Sequence, residues 1–121
     1  WYRKAAEQGL ARAQHNLGVT FEHGRGAIQD YSEAVSWYRK AAEQGLAEAQ
    51  FNLAIMYAKG KGVLQDFVQA HMWFNLAAAQ GHKDAIENRG IVTNHMTKDQ
   101  IAEAQALARE WAKRTVNDDR Q

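Results

Sequence analysis

The sequence predicts an all-α fold, an α-solenoid of about three helix-turn-helix repeats closed by a C-terminal helix. Three observations lead to this fold class. The sequence repeats itself every 36 residues, its apolar positions follow the 3.6-residue period of a helix, and capping residues and glycines recur where helices would begin and end. No segment alternates between apolar and polar residues as a strand would.

The repeat is visible as a duplication. Trp1 to Ala11 is identical to Trp37 to Ala47, and the two 36-residue units share 20 identical positions. A third, degraded copy begins at Trp73 and keeps its register as far as Gly90. The predicted boundaries are repeats over 1–36 and 37–72, a degenerate repeat over 73–95, a capping helix over 96–114 and a flexible tail over 115–121.

Each unit is predicted to contain two helices. Asp30 precedes Glu33 by three residues, a spacing typical of a helix N-terminus, and Gly45 provides the left-handed backbone that commonly ends a helix. The connection between units contains paired apolar residues, which we expect to be buried at the seam between consecutive hairpins. These residues are Ala27 and Ile28 in the first unit and Val63 and Leu64 in the second.

The two ends of the array differ. Thr97 and Gln100 have the spacing of a capping box, and one apolar stripe from Ile101 to Trp111 predicts a helix that closes the C-terminal end. Trp1 and Tyr2 enter halfway through a hairpin, so we expect an uncapped edge there. This edge suggests an alternative role, in which the chain is a structural segment of a longer array and self-associates through Trp1 and Tyr2.

Composition and charge exclude several function classes. The chain has 15 basic and 14 acidic residues, a net charge of +1, and no apolar run long enough to span a membrane. We therefore expect neither nucleic-acid binding nor membrane insertion. The absence of cysteine leaves the compartment open between cytoplasm and periplasm.

The sequence does not predict an enzyme, a metal site or a cofactor. The five histidines are scattered without ligand spacing, and Ser32 and Ser36 are the only serines, neither followed by lysine three residues later. Gly24-Arg25-Gly26 and its counterpart at 60–62 complete no phosphate-binding pattern and are better explained as helix ends.

A family resemblance adds to this interpretation. Trp-Tyr-Arg-Lys-Ala-Ala-Glu-Gln-Gly, Ala-Gln-Phe-Asn-Leu-Ala and Met-Tyr-Ala-Lys-Gly-Lys-Gly-Val-Leu-Gln-Asp, repeated at 36 residues, resemble the Sel1-like repeat, whereas tetratricopeptide repeats have a period of 34. The resemblance implies a right-handed superhelix that acts as a non-catalytic adaptor binding a protein or peptide partner, with bacterial members common. Relatives with a disulfide in each repeat differ from this cysteine-free chain, so inferences from secreted members do not transfer.

The candidate binding surface lies on the first helix of each unit, opposite the small residues that face inward. Its residues in one unit are Ser32, Ser36, Arg39 and Glu43, and the equivalent positions of the next unit are Val68, Met72, Asn75 and Ala79. The second set is unusually apolar for a solvated helix face. Two interpretations stay open: a partner docks there, contacting Arg39, Met72 and Asn75, or the C-terminal helix or residues 91–96 cover it.

Overall fold

The computed structural model describes the backbone of residues 2–119 and the side chains of residues 4–114. Within that part of the chain every regular element is a helix. The seven helices are α1 (Tyr2–Glu7), α2 (Ala11–His23), α3 (Tyr31–Glu43), α4 (Ala47–Lys59), α5 (Phe67–Ala79), α6 (Lys83–Thr93) and α7 (Lys98–Asp119). The predicted all-α fold is confirmed.

Consecutive helices from α1 to α6 pack against one another as three helical hairpins stacked in a row. The connections inside hairpins turn at Gly9, Gly45 and Gly81, which have φ angles of 89°, 93° and 89°. The connections between hairpins begin at Gly24 and Gly60, both also left-handed. Glycine adopts this backbone without the cost of about 1–2 kcal/mol that a β-carbon would add.

The predicted helix caps are present. The Asp30 carboxylate accepts a hydrogen bond from the Glu33 amide, and Asp66 accepts one from the Gln69 amide in the same way. At the start of α7, the Gln100 amide donates to the Thr97 hydroxyl and the Thr97 amide donates to the Gln100 side chain, a complete capping box. Each cap satisfies amides that the first helical turn cannot pair.

The expectation that the seam residues are all buried is wrong for half of them. Ala27 and Val63 are partly buried, but Ile28 is 89% and Leu64 91% exposed. Both pairs lie in the non-helical connections that follow the glycine turns, and an extended backbone there points neighbouring side chains to opposite sides. Val63 packs against the core, so Leu64, the next residue, projects into solvent.

The last helix differs from its prediction in length. α7 continues to Asp119, past the predicted boundary after Arg114, because residues 115–119 include neither glycine nor proline to end it. Residues 120 and 121 of the predicted tail lie outside the described residues. α7 packs along α5, and the buried Ala104 and Ala108 allow the helices to approach closely. Its Trp111 meets Trp73 edge to face, with ring centroids 6.0 Å apart.

Candidate functional site

On α3, three of the four predicted surface residues are open to solvent. Ser32, Ser36 and Glu43 are exposed, while Arg39 is half-buried. The Arg39 guanidinium donates a hydrogen bond to the Tyr57 hydroxyl and lies 5.5 Å from the centre of the Tyr57 ring. Because α4 holds this cation in place, it forms a fixed positive point at the edge of the α3 face.

On α5 the equivalent residues are more enclosed. Val68 and Asn75 are half-buried, and Met72 is only 7% exposed and belongs to the core. The Asn75 side-chain oxygen accepts a hydrogen bond of 2.6 Å from Arg89 of α6. Met72 therefore stabilises the fold and offers a partner little surface, whereas Ala79, at the C-terminal end of the stripe, is exposed.

The C-terminal helix lies beside the apolar stripe, as one of the two sequence interpretations expected, but it does not close over all of it. A groove of about 500 Å³ remains between α5 and α7. Its lining residues are Asn75, Leu76 and Ala79 of α5 and Gln105, Ala108, Arg109 and Ala112 of α7. Its lining combines small and aliphatic side chains with the polar groups of Asn75, Gln105 and Arg109.

The charges of α7 are divided between its two sides. Arg109 lines the groove, whereas helical geometry places Glu103 and Glu110 on the far side of α7. Asn75 and Gln105 add amide groups that can donate or accept hydrogen bonds. The groove can therefore hold an apolar segment and pair with a carboxylate, and none of its lining residues is a nucleophile.

A ladder of glutamines that was not predicted from the sequence joins the repeats, with Gln14 and Gln50 buried and Gln44 and Gln80 exposed. Gln14 and Gln50 donate to the carbonyls of Ala6 and Ala42 across their own hairpins. Their side-chain oxygens accept hydrogen bonds of 2.6 Å and 3.0 Å from the next glutamines in line, Gln44 and Gln80. The signal was present, because Gln14 and Gln50, like Gln44 and Gln80, are 36 residues apart.

Two further buried polar contacts belong to the packing between repeats. The Tyr38 hydroxyl donates a 2.6 Å hydrogen bond to Glu22, and burial together with this bond raises the pKa of Tyr38 well above its usual value. His15 lies 2.9 Å from the Asn52 amide, and burial lowers the pKa of His15. These groups are locked into structural contacts and do not face the groove.

No further chemical site emerges from the described side chains. Residues 4–114 contain no group of three or more histidines, aspartates or glutamates placed to hold a metal ion. Among the helices described here, none has the length and apolar character needed to cross a membrane. Of the predicted N-terminal edge, Trp1 lies outside the described residues and only the backbone of Tyr2 is described.

Comparisons with solved structures identify the same architecture elsewhere. A protective antigen of uropathogenic Escherichia coli strains that displays an SLR fold superposes with a TM-score of 0.91 and 40% identity, covering 93% of this chain and 24% of the antigen. A Sel1 repeat protein from Oxalobacter formigenes gives a TM-score of 0.73 and 44% identity, covering 74% of this chain and 68% of that protein.

Sequence comparison gives shorter matches and a family. DAP3-binding cell death enhancer 1 from Rattus norvegicus is 49% identical over 35 residues, and its Mus musculus counterpart is 46% identical. The match covers 29% of this chain and 7% of those proteins, so the chain spans only a small part of their length. The Sel1 repeat model matches residues 1–10, 11–46 and 47–82, which is more than half of the chain. The chain belongs to the Sel1 repeat family.

Proposed function

We propose that this chain is an interaction module that binds a peptide or partner protein along the α3 face and in the groove between α5 and α7. The Sel1 repeat fold is generally a non-catalytic module for protein–protein interaction. The observation that carries the proposal is the open groove itself, whose lining combines apolar side chains with a few polar groups.

The proposed site refines the surface expected from sequence. Ser36 and Glu43 supply exposed polar contacts, and Arg39 supplies a cation fixed by Tyr57. Asn75 and Arg109 provide polar groups in the lining of the groove. Met72 is buried in the core and contributes packing rather than contact surface. A segment with small apolar side chains and one carboxylate complements these groups.

Photo-crosslinking tests this proposal. A photoreactive amino acid at Gln105 would lie in the groove, and the same residue at Glu103 would lie on the opposite side of α7. We expect a partner to crosslink from position 105 and not from 103. With that partner purified, Arg109→Glu should weaken binding by about tenfold or more, and Glu110→Lys should leave it unchanged. Crosslinking from both positions 105 and 103, or binding that Arg109→Glu leaves unchanged, would show that the partner binds outside the groove.

Self-association through the first hairpin is the second candidate role. Gly62, in the connection between α4 and α5, packs against the backbone of Tyr31 at the start of α3. The equivalent Gly26 has no described atom within 4 Å of the place where a β-carbon would be. At Gly62 this space is filled by the first helix of the same hairpin, so at Gly26 it can accept the start of a helix from another copy. Sedimentation equilibrium over a wide concentration range tests this self-association, and a chain that stays monomeric at every concentration would refute it.

A further inference from the structure

The outer face of α6 is built like the contact between repeats but is left uncovered among the described residues. The previous second helices, α2 and α4, are each covered on this face by the helix that follows in sequence, α3 and α5. α6 breaks the pattern, because α7 packs along α5 and makes no extensive contact with α6. The face of α6 therefore continues a series of established interfaces without an occupant.

The central residue of this face is a glycine or alanine in all three repeats. Gly18 is buried under Tyr38, and a β-carbon there would lie 2.7 Å from the Tyr38 ring. Ala54 is completely buried in the same cluster as Phe74, the aromatic residue that corresponds to Tyr38. The third member, Gly90, is exposed, and no described atom lies within 4 Å of the position of its missing β-carbon.

A second position on this face also differs in exposure between α6 and the two earlier helices, α2 and α4. Gln14 and Gln50 are 4% and 0% exposed, and each accepts a hydrogen bond from the C-cap residue of the helix that follows. Their equivalent on α6 is Ile86, a large aliphatic residue that is 46% exposed. An isoleucine at this position ends the glutamine ladder and places one exposed aliphatic side chain beside Gly90, next to the exposed Glu87.

A hydrogen-bond acceptor completes the face. Glu22, at the C-terminal end of α2, receives the hydroxyl proton of Tyr38. The residue 72 positions later is Asn94, the C-cap of α6, which is exposed. Its side-chain carbonyl can accept from a tyrosine hydroxyl as Glu22 does.

We propose that the face of α6 formed by Ile86, Gly90, Thr93 and Asn94 binds an amphipathic helix of a partner protein, which places a tyrosine ring over Gly90 and an apolar side chain on Ile86. The two covered faces define the geometry of the partner, because α3 provides such a helix for α2. Glycine at position 90 lets the partner backbone and ring approach closely. This face is separate from the groove between α5 and α7.

A peptide copied from residues 30–45 tests the proposal, because it retains the Asp30 cap and the Tyr38 ring of the helix that covers Gly18. Titrated into the ¹⁵N-labelled full chain, it should shift the amide resonances around Ile86, Gly90 and Thr93 in a saturable way. A peptide with Tyr38→Ala should bind about tenfold more weakly or worse.

Variants of the chain locate the contact. Gly90→Glu and Ile86→Glu should each weaken peptide binding by about tenfold or more. Leu64→Glu is the matched control, because Leu64 is an aliphatic residue that is 91% exposed and lies outside α6, in the connection between α4 and α5. All three positions are exposed, so far-UV circular dichroism should show the same helix content in each variant.

Three results would overturn the proposal. The first is no binding at millimolar peptide. The second is a set of shifts centred on α2 or α4, or an affinity that Gly90→Glu leaves unchanged. The third is a chain that dimerises by sedimentation velocity and becomes monomeric with Gly90→Glu, which would assign the face to a second copy.

Discussion

Two equivalent glycines allow the packing of the α4–α5 connection against the start of α3 to be measured directly. Gly26 and Gly62 are 36 residues apart and have φ angles of 78° and 74°, so alanine is strained by the same amount at either position. The left-handed backbone costs alanine about 1–2 kcal/mol, and reduced freedom of the unfolded chain returns about 0.4–1 kcal/mol. We therefore expect Gly26→Ala to lower the free energy of unfolding by about 1 kcal/mol.

Gly62→Ala carries an additional cost. The new β-carbon would lie 2.6 Å from the Tyr31 carbonyl carbon and 3.0 Å from the Ser32 nitrogen. These are backbone atoms at the start of α3, so relief requires the α4–α5 connection to move away from the first helix of its own hairpin. Overpacking of this kind costs about 1–3 kcal/mol. The total loss for Gly62→Ala is therefore about 2–4 kcal/mol, well above that for Gly26→Ala.

Thermal and urea unfolding, followed by circular dichroism at 222 nm, compare the two variants. With about 4 °C of melting temperature per kcal/mol for a chain of this size, Gly26→Ala should lower Tm by about 4 °C and Gly62→Ala by about 8–16 °C. Equal losses of Tm in the two variants would refute the reasoning, because they would mean that the start of α3 does not lie close enough to Gly62 to clash with an alanine. A larger loss for Gly26→Ala would show that its surroundings are filled as well.

Three other substitutions or conditions test separate features. Gln50→Leu keeps the core filled but removes the hydrogen bonds to Ala42 and Gln80, so urea unfolding should show a loss of about 1–3 kcal/mol. Burial lowers the pKa of both His15 and His71, so the folded state disfavours their protonation. The contribution of these histidines to the free energy of unfolding should be full above about pH 6.5 and should be lost as the pH falls through their lowered pKa values. Unfolding midpoints measured from pH 8 to pH 4.5 check this. His15→Phe combined with His71→Val, which introduces the residues found at the equivalent positions of other repeats, should reduce the decline of the unfolding midpoint below pH 6.5. Leu64→Ser should change the unfolding free energy by less than about 0.5 kcal/mol, because Leu64 is 91% exposed, and a loss above 1 kcal/mol would show that it packs in solution.

The repeat made most of the fold predictable from sequence. Identity between Trp1–Ala11 and Trp37–Ala47 set the period, and the glycine and capping positions located the helix ends to within a few residues. These features are local, because a cap or a left-handed turn depends on residues a few positions apart. Short-range features such as helix caps and glycine turns can therefore be predicted directly from a single sequence.

The surface was less predictable because it depends on how the helices are oriented. Periodicity placed Met72 on the same helix face as Ser36, yet Met72 is buried and Ser36 is exposed. Apolar character alone also placed Leu64 in the seam, although its neighbour Val63 is the residue that packs against the core. In both cases the sequence shows that a residue is apolar, but the position of a distant helix decides whether it is covered.

The placement of α7 determines which surfaces the chain offers. A helix that followed the pattern of α3 and α5 would have covered Gly90 and left the end of α5 open. Instead α7 lies on α5, so the same displacement forms the groove around Arg109 and exposes Ile86. The two proposed sites therefore share one structural cause and differ in chemistry: the groove suits a segment with a carboxylate, and the α6 face suits an aromatic helix. A variant at one site should leave binding at the other unchanged.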